Sequence, residues 1–298
     1  MHVNPKLLTL LAPEPVLGVS MAKVSVLRLD LADDLAPGNK RFKLQGYLQQ
    51  AKKSGIRRLV SFGGPWSNHL HALAAVGQQQ GLETVGLVRG EDHEAETATL
   101  QDLRHWGMQV ERLGREDYRR RNSPDFLLQV ERRFAPCVLV PEGGAGEAAM
   151  SGTADIAALL QQCAPANGRV VLPVGTGTTL AGIVRALNLP AQVVGISALK
   201  GAVDLELRIG GMLQGSGNVP WQVLHDFHCG GFARVNQELR DFMLAFEAVH
   251  PVPLEPVYTG KMMHAIYQLL KSGQWRSSEP IVAIHTGGLQ GRRGYSWL

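Results

Sequence analysis

The sequence predicts an α/β protein built from mostly parallel sheets flanked by helices. Short apolar runs typical of buried strands alternate with segments of helical periodicity along most of the chain. Turns rich in glycine repeatedly join a strand to the following helix, as they do in parallel sheets. The 298 residues, 45% of them hydrophobic, suffice for a large core and approach the length at which one core usually divides in two.

The alternation can be followed in order from residue 56 onward. Apolar runs predict strands at residues 56–63, 84–88, 108–113, 136–144 (strand and turn together), 168–174, 191–197, 221–227 and 280–285. Helical periodicity predicts helices at residues 68–80, 95–106, 125–134, 146–163, 179–187, 235–248 and 260–272. No internal repeat or low-complexity linker marks a domain border, so composition alone leaves the borders undefined.

Charge and cysteine content argue against several classes of protein. The net charge is only +4, and the run Arg119–Arg121 lies beside Glu116 and Asp117. We interpret that run as a solvated face rather than a phosphate-binding patch or a nucleic-acid arm. Three widely spaced cysteines predict no disulfide framework and favour a reducing, cytoplasmic location. Prolines break the one short apolar run of residues 1–16, which predicts neither a signal peptide nor a membrane span.

Two motifs in the first quarter of the chain carry candidate functional side chains. In GNKRFKL, residues 38–44, Lys40 and Lys43 follow a turn and would share one face of a helix. Alone, this pattern is typical of an exposed basic turn. In SFGGPWSNH, residues 61–69, a strand ends at two glycines, and Ser67 is placed to cap the next helix. Free N–H groups at such a helix start bind carboxylates or phosphates, although capping alone explains the pattern equally well.

A third motif, PVGTGTTLAGI at residues 173–183, predicts a phosphate-binding turn between a strand and a helix. The glycines let successive backbone N–H groups converge on an anion, and the threonine hydroxyls add donors. The motif lacks both the Gly-Lys-Ser/Thr ending of a nucleotide P-loop and the GxGxxG spacing. It therefore favours a single phosphate group over a nucleotide.

Two later motifs lie at the start of a predicted helix and at the end of a predicted strand. Proteins with parallel sheets bind ligands at such positions. Tyr258 and Thr259 precede a predicted helix in PVYTGK, and Thr286 follows a predicted strand in HTGG. Turn formation with a buried tyrosine explains both patterns without any function.

The histidines do not predict a metal site. His69 and His71 have no carboxylate or cysteine partner nearby in the sequence. The HDFHC run, residues 225–229, has metal-like spacing but falls at a predicted strand, where its side chains would point to two different faces. We therefore expect no bound metal.

Together these motifs resemble the 1-aminocyclopropane-1-carboxylate deaminase / D-cysteine desulfhydrase family of pyridoxal-phosphate enzymes. GNKRFKL, GGPWSNH, VPEGG, VGTGTTLAG, PVYTGK and HTGG follow the family's order and span nearly the whole chain. The resemblance implies the two-domain fold type II, similar to the tryptophan synthase β subunit, with pyridoxal 5'-phosphate between the domains. It also implies a large domain of residues 1–41 and 139–298, a small domain of residues 42–138, and a homodimer.

The resemblance assigns roles to individual residues. Lys40 is similar to the lysine that holds the cofactor as a Schiff base and later serves as a base. Ser67, with the N–H groups of Asn68 and His69, would receive the carboxylate of a small amino-acid substrate. Tyr258 would lie against the ring near the substrate, and the resemblance implies that it and Ser67 are catalytic as well as substrate-binding residues. The other expected cofactor contacts are Asn68 at the ring hydroxyl, Gly175, Thr176, Gly177, Thr178 and Thr179 around the phosphate, and Thr259 or Thr286 at the pyridine nitrogen.

The two threonines favour D-cysteine as the substrate. In deaminases of the family, a glutamate stands at the position of Thr259 and a leucine at that of Thr286. A carboxylate keeps the ring nitrogen protonated, which suits the opening of a cyclopropane. Hydroxyl groups suffice for α,β-elimination of D-cysteine to pyruvate, ammonia and hydrogen sulfide. Deamination of 1-aminocyclopropane-1-carboxylate and non-catalytic binding of a small phosphorylated ligand remain alternatives. Phe42 and His71 stand where arginines are common in the family, which leaves the substrate open.

Overall fold

The structure is a computed structural model that describes residues 8–298, and it divides into two compact units. The first unit combines the described residues up to Ala32 with Thr153–Leu289, and the second combines Asp33–Gly152 with Gln290–Leu298. The borders implied by the resemblance, 41/42 and 138/139, both fall inside the second unit and stay predictions. Residues 1–7 of the N-terminal segment, for which no signal peptide is predicted, lie outside the described residues.

Close packing of two helices explains why residues up to Gly152 belong to the second unit. These helices are α1 (Asn39–Ser54) and α6 (Glu147–Cys163). A Cβ atom on Gly46 would overlap the carbonyl group of Ala148, and one on Gly152 would overlap that of Phe42. Glycine at both positions lets α1 approach the first turns of α6 backbone to backbone. Residues on both sides of each expected border thus share one core.

The second unit contains a four-stranded parallel sheet in the order β5–β4–β3–β6. The strands are β3 (Arg58–Gly63), β4 (Glu83–Arg89), β5 (Gln109–Leu113) and β6 (Val138–Val140). Besides α1, its helices are α2 (Asn68–Gln80), α3 (Ala98–His105), α4 (Arg115–Arg119) and α5 (Pro124–Phe134). Leu44, Leu70 and Leu100 of α1–α3 pack in one apolar cluster, and Tyr118 and Phe126 of α4 and α5 join another. Helices therefore cover both faces of the sheet, as parallel strands require.

The first unit contains a six-stranded sheet in the order β1–β2–β10–β7–β8–β9. Only β1 runs antiparallel to its neighbour, β2. The strands are β1 (Leu8–Leu10), β2 (Val24–Arg28), β7 (Arg169–Val174), β8 (Gln192–Ser197), β9 (Trp221–Leu224) and β10 (Ile281–His285). The helices after α6 are α7 (Thr178–Ala186), α8 (Leu205–Leu213), α9 (Gln237–Val249) and α10 (Thr259–Lys271). In β2 and β10 every residue is buried, so the centre of the sheet is also the centre of the core.

The observed elements confirm the predicted α/β class of parallel sheets flanked by helices. Sequence patterns did not predict β1, β2, α4 or α8, and the residues of α1 around Lys40 were expected to form a basic turn. It also extended β9 too far: the strand ends at Leu224, so HDFHC follows it instead of lying on it. His225, the first residue after the strand, has its Nε2 2.7 Å from Glu206 Oε1 of α8. Within residues 8–298, no helix combines the length and apolar character needed to cross a membrane.

Candidate active site

Lys40 is the second residue of α1, two positions after Gly38. Gly38, the N-cap residue, has φ of 92°, which favours glycine. Burial lowers the pKa of Lys40 from 10.5 to about 8. A lysine with such a pKa has a substantial neutral fraction near pH 8, and the neutral amine is the nucleophilic form.

Lys43, one helical turn after Lys40, is fully buried and structural. Its Nζ donates a hydrogen bond to the carbonyl oxygen of Gly143 over 2.6 Å. Burial, and then the nearby charge of Lys40, hold the pKa of Lys43 well below its usual range. The two lysines thus share a face of α1, as expected. The sequence alone did not show that Lys43 is bound to a carbonyl oxygen whereas Lys40 could react with a ligand.

The GGPWSN segment forms a tight turn between β3 and α2. Ser67 caps α2, since its Oγ accepts a hydrogen bond from the Leu70 N–H over 3.2 Å. A Cβ atom on Gly63 would come within 2.5 Å of Ser67 Oγ, so the turn requires glycine there. The N–H groups of Asn68 and His69 belong to the first turn of α2, where the helix dipole favours an anion.

His69 is a buried imidazole whose orientation is set by Ser61. Ser61 Oγ donates to the carbonyl of Val140 over 2.7 Å and lies 2.8 Å from His69 Nε2, so Nε2 is the nitrogen that carries the proton. The other nitrogen, Nδ1, is buried and has no hydrogen-bond partner among residues 8–298. Burial, followed by the charges of Lys40 and Lys43, holds the pKa of His69 well below its usual range. The site therefore contains a neutral imidazole with an unsatisfied acceptor.

The side chain of Asn68 is oriented by a residue from the C-terminal segment. Gln290 Nε2 donates to Asn68 Oδ1 over 2.6 Å, and Gln290 Oε1 accepts from the hydroxyl of Thr99. Sequence reasoning did not identify Gln290, because 222 positions separate it from Asn68 and no local pattern links them.

His71 has a carboxylate partner that lies far away in the sequence. Its Nε2 is 3.0 Å from Asp102 Oδ2, and Arg293 also pairs with Asp102. The imidazole and the Trp106 ring pack in a T-shaped arrangement, with 4.6 Å between the ring centres. In the described part of the chain, no group of three or more His, Cys, Asp or Glu side chains is placed to hold a metal ion.

In the first unit, the Gly175–Thr179 turn links β7 to α7 and is shaped by glycine. Gly177 is the N-cap of α7 with φ of 86°, and a Cβ atom there would come within 2.6 Å of Ile209. A Cβ atom on Gly175 would meet the ring of Tyr258 at 3.3 Å. The turn leaves the first N–H groups of α7 without acceptors inside the helix, which is the usual arrangement of a phosphate site.

The segment before α10 is held by Glu255, a buried carboxylate that sequence reasoning did not single out. Its Oε1 accepts from the N–H groups of Tyr258 and Thr259 over 2.8 and 2.6 Å, and its Oε2 accepts from that of Val257 over 2.8 Å. The hydroxyl of Thr259 in turn accepts from the Glu255 N–H over 2.9 Å. Burial raises the pKa of Glu255, although these N–H groups oppose the rise. The hydroxyl of Thr259 is therefore used within the turn.

Thr286 follows a buried charged network at the ends of β2 and β10. Arg28 pairs with Asp30 over 2.6 Å, and His285 Nδ1 lies 3.0 Å from Asp30 Oδ1. His285 Nε2 donates to the carbonyl of Pro253 over 2.8 Å. Burial would raise the pKa of Asp30, but hydrogen bonds from His285 and Arg28 outweigh it and lower the pKa to about 2. The network fixes the strand end from which Thr286 projects.

The predicted site residues thus form two sets, one in each unit. Lys40, Ser67, Asn68 and His69 belong to the second unit. The set in the first unit comprises Gly175, Thr176, Gly177, Thr178, Thr179, Tyr258, Thr259 and Thr286. Each set lies where parallel strands end and helices begin, which is where α/β proteins bind ligands.

Comparison with known families decides the class of protein. A family model described as pyridoxal-phosphate dependent enzyme matches residues 27–287. The chain belongs to this family. It is therefore a pyridoxal-phosphate-dependent enzyme, and the alternative of a binding protein without catalytic activity no longer applies.

Named relatives of this pyridoxal-phosphate enzyme include a desulfhydrase and a deaminase. A D-cysteine desulfhydrase from Salmonella choleraesuis is 26% identical over 278 residues, covering 86% of this chain and 85% of the relative. A Thermotoga maritima protein provisionally named 1-aminocyclopropane-1-carboxylate deaminase is 26% identical over 288 residues, covering 90% and 89%. A solved structure described as an ACC deaminase homologue is 24% identical with a TM-score of 0.80, covering 94% of this chain and 90% of that one. The fold is thus that of fold type II enzymes.

The residues present fit pyridoxal phosphate. A phosphate needs a glycine-rich turn at a helix N-terminus, and the turn before α7 requires glycine because Cβ atoms at Gly175 and Gly177 would meet Tyr258 and Ile209. An aldehyde needs a lysine amine that loses its proton readily, and the lowered pKa of Lys40 meets that need. Both chemical groups of the cofactor thus have a counterpart among the predicted residues.

Proposed function

We propose that this enzyme catalyses α,β-elimination from D-cysteine. The reaction consumes D-cysteine and water and yields pyruvate, ammonia and hydrogen sulfide. One observation carries the proposal: hydroxyl groups, not carboxylates, stand at both candidate ring-nitrogen positions, Thr259 and Thr286. Two buried carboxylates lie close by in the structure, but both already have partners. Glu255 accepts hydrogen bonds from backbone N–H groups, and Asp30 forms an ion pair with Arg28.

The proposed cofactor contacts follow from the two sets of residues. Lys40 would hold the aldehyde carbon, and Asn68, oriented by Gln290, would bind the ring hydroxyl. The turn from Gly175 to Thr179 would bind the phosphate through its N–H groups and hydroxyls. Tyr258 would lie against the ring. When bound, pyridoxal phosphate supplies an electron sink that weakens the bond between the substrate Cα and its hydrogen.

The substrate carboxylate is proposed to lie at the start of α2. Ser67 Oγ and the N–H groups of Asn68 and His69 would bind it, and the helix dipole favours its negative charge. This contact would orient the Cα–H bond toward Lys40. Such orientation is the main contribution that a binding loop makes to a proton transfer.

Lys40 Nζ is proposed to take the proton from Cα. Its pKa of about 8 leaves a neutral amine available near that pH, and positioned bases of this kind accelerate reactions about 10²–10⁴-fold. The electron pair released at Cα forms a double bond to Cβ as sulfide departs. Water then replaces the amino group, which leaves as ammonia.

Thr286 is the proposed partner of the pyridine nitrogen. It projects from the end of β10, is 9% exposed, and makes no hydrogen bond to another residue of the described chain. The hydroxyl of Thr259 is already bound to Glu255. A hydroxyl holds a proton on the ring nitrogen less firmly than a carboxylate would. The cofactor would then be a weaker electron sink, which is sufficient to expel a good leaving group such as sulfide but less suited to opening a cyclopropane ring.

The test is an assay of the purified holoenzyme with both candidate substrates. D-Cysteine should yield sulfide and pyruvate in equal amounts, and 1-aminocyclopropane-1-carboxylate should yield no 2-oxobutyrate. Release of 2-oxobutyrate would establish the deaminase activity instead. A holoenzyme that forms neither product from D-cysteine would refute the proposal.

A cytoplasmic location and a homodimer are also proposals. The three cysteines are free thiols, which fits a reducing compartment. The dimer rests on the family resemblance alone.

A further inference from the structure

A pocket of the second unit is lined by four arginines. It has a volume of about 470 Å³ and lies where β4 ends and α4 begins. Arg89 ends β4, Arg115 and Arg119 are the first and last residues of α4, and Arg121 follows it. The volume lies within the range of small-molecule sites, so the pocket can hold a ligand of the size of a phosphate ester.

One of the four arginines is neutralised within the pocket wall. Arg121 Nε donates to Glu142 Oε2 over 2.6 Å, and the hydroxyl of Tyr118 donates to the other carboxylate oxygen. The Arg121 guanidinium also lies 4.7 Å from the centre of the Tyr118 ring. Burial, above all, raises the pKa of Tyr118, which keeps the phenol a neutral donor. These contacts hold the side chains of Arg121, Tyr118 and Glu142 in place, and the charges of Arg121 and Glu142 neutralise each other.

The second carboxylate at the pocket, Glu94, faces a guanidinium outside the set of four. Glu94 Oε2 and Arg112 Nη1 both lie within 2.9 Å of the position that a Cβ atom on Gly90 would take. Arg112 Nη1 is buried and forms no hydrogen bond within residues 8–298. Neither Glu94 nor Arg112 forms an ion pair with a described residue, so the charge of Glu94 still counts against that of the pocket arginines.

The remaining three arginines outnumber the one carboxylate of the pocket that is unpaired in the described chain, Glu94, so the pocket keeps a net positive charge. Arg89, Arg115 and Arg119 are exposed, and none forms an ion pair with any residue that the structure describes. Guanidinium groups present paired N–H donors that match the oxygens of phosphate and sulfonate. Three of them around one pocket create a positive potential that only an anionic ligand relieves.

We propose that this pocket binds a small molecule that carries a phosphate or sulfonate group. If a ligand binds there, Arg119 belongs to a binding site and not only to a solvated face. The ligand would lie beside the GGPWSN turn, because Pro65 lines the pocket and a Cβ atom on Gly64 would be 3.8 Å from Arg89 Nη2. Occupancy is therefore expected to change the KM for an amino-acid substrate more than kcat.

The binding itself does not depend on the proposed reaction and is measured without turnover. Pyrophosphate is titrated into the holoenzyme by calorimetry at constant ionic strength, with sodium chloride as the reference salt. Pyridoxal phosphate is already bound in the holoenzyme, so its own phosphate site does not compete for the probe. Arg119→Gln is compared with Arg132→Gln, an exposed arginine of α5 in the same unit.

The expected result is saturable binding of one pyrophosphate per chain. Arg119→Gln should raise its dissociation constant about tenfold, the effect of one charge-assisted contact. Arg132→Gln should leave it within about twofold. Absence of saturable binding below about 10 mM would overturn the proposal. Equal affinity in the two variants would also overturn it, since binding would then not involve the pocket.

Discussion

The two threonines near the proposed ring-nitrogen position differ in what their hydroxyl groups contact. Thr259 is fully buried and accepts a hydrogen bond from the N–H of Glu255, whereas Thr286 makes no hydrogen bond to a described residue. The sequence placed both at suitable turns but did not choose between them. The choice depends on Glu255, which folds back onto its own turn in a way that no spacing rule predicts.

Replacing each threonine by the isosteric valine tests this distinction. Thr286→Val should lower kcat/KM for D-cysteine about fivefold, the worth of one hydrogen bond at the ring, and change the free energy of unfolding by less than about 0.5 kcal/mol. Thr259→Val should instead lower the free energy of unfolding by about 2 kcal/mol, because it leaves the buried Glu255 N–H unpaired. Steady-state kinetics and urea unfolding measure the two effects, and the opposite pattern would assign the ring nitrogen to Thr259.

At the scale of elements, the ends of β2 and β10 are joined by charge as well as by backbone pairing. Arg28 and His285 lie opposite each other in the parallel register, and Asp30 contacts both side chains. Because 255 positions separate Asp30 from His285, sequence patterns do not reveal the pair. The network is buried, so its stability contribution depends on every member being present.

Asp30→Asn should destabilise the protein in a way that depends on pH. At pH 6 the expected loss in the free energy of unfolding is about 3 kcal/mol, since Arg28 loses its buried counter-charge. The pKa of Asp30 is lowered to about 2 in the folded protein, so its ionised form stabilises the fold above the ordinary value of 3.8. That contribution is lost as the pH falls from about 4 toward 2.

The difference between the wild type and Asp30→Asn should therefore shrink by about 1 kcal/mol between pH 6 and pH 3. Urea unfolding at the two pH values measures it. The exposed Asp226→Asn serves as the control and should show neither effect. A pH-independent difference for Asp30→Asn would contradict the assigned pairing.

The turn before α7 depends on glycine at one position in particular. Gly177→Ala should cost about 1–3 kcal/mol of unfolding free energy, because φ is 86° and Ile209 occupies the space of the new methyl group. It should also raise the dissociation constant for pyridoxal phosphate about tenfold if the turn binds the phosphate. Fluorescence titration of the apoenzyme measures the second effect.

Gly210→Ala is the matched control for this substitution. Gly210 lies inside α8 with nothing within 4 Å of its would-be Cβ, so alanine should stabilise that helix by roughly 0.5–1 kcal/mol. Cofactor affinity should not change. Normal cofactor binding in Gly177→Ala would remove the turn from the proposed site.

At the scale of the whole molecule, the sequence predicted the strands and helices better than the borders between the two units. Most strands and helices after residue 56 follow from local periodicity and were predictable to within a few residues, whereas α4 and α8 were not predicted. The border of the second unit was not, because it depends on contacts of Gly46 and Gly152 between α1 and α6. The partners that orient site residues, such as Gln290 for Asn68 and Ser61 for His69, come from other elements and required the structure.

The central claim is that Lys40 carries the cofactor, and Lys43 provides an internal control because it is buried and bound to Gly143. The most direct measurement is borohydride reduction of the yellow holoenzyme, followed by peptide mass spectrometry with fragmentation across residues 38–44. The account predicts loss of the visible absorbance and a pyridoxyl-phosphate adduct on Lys40 alone, with no adduct in Lys40→Ala. An adduct on Lys43 or on another lysine, or retention of the adduct in Lys40→Ala, would contradict it.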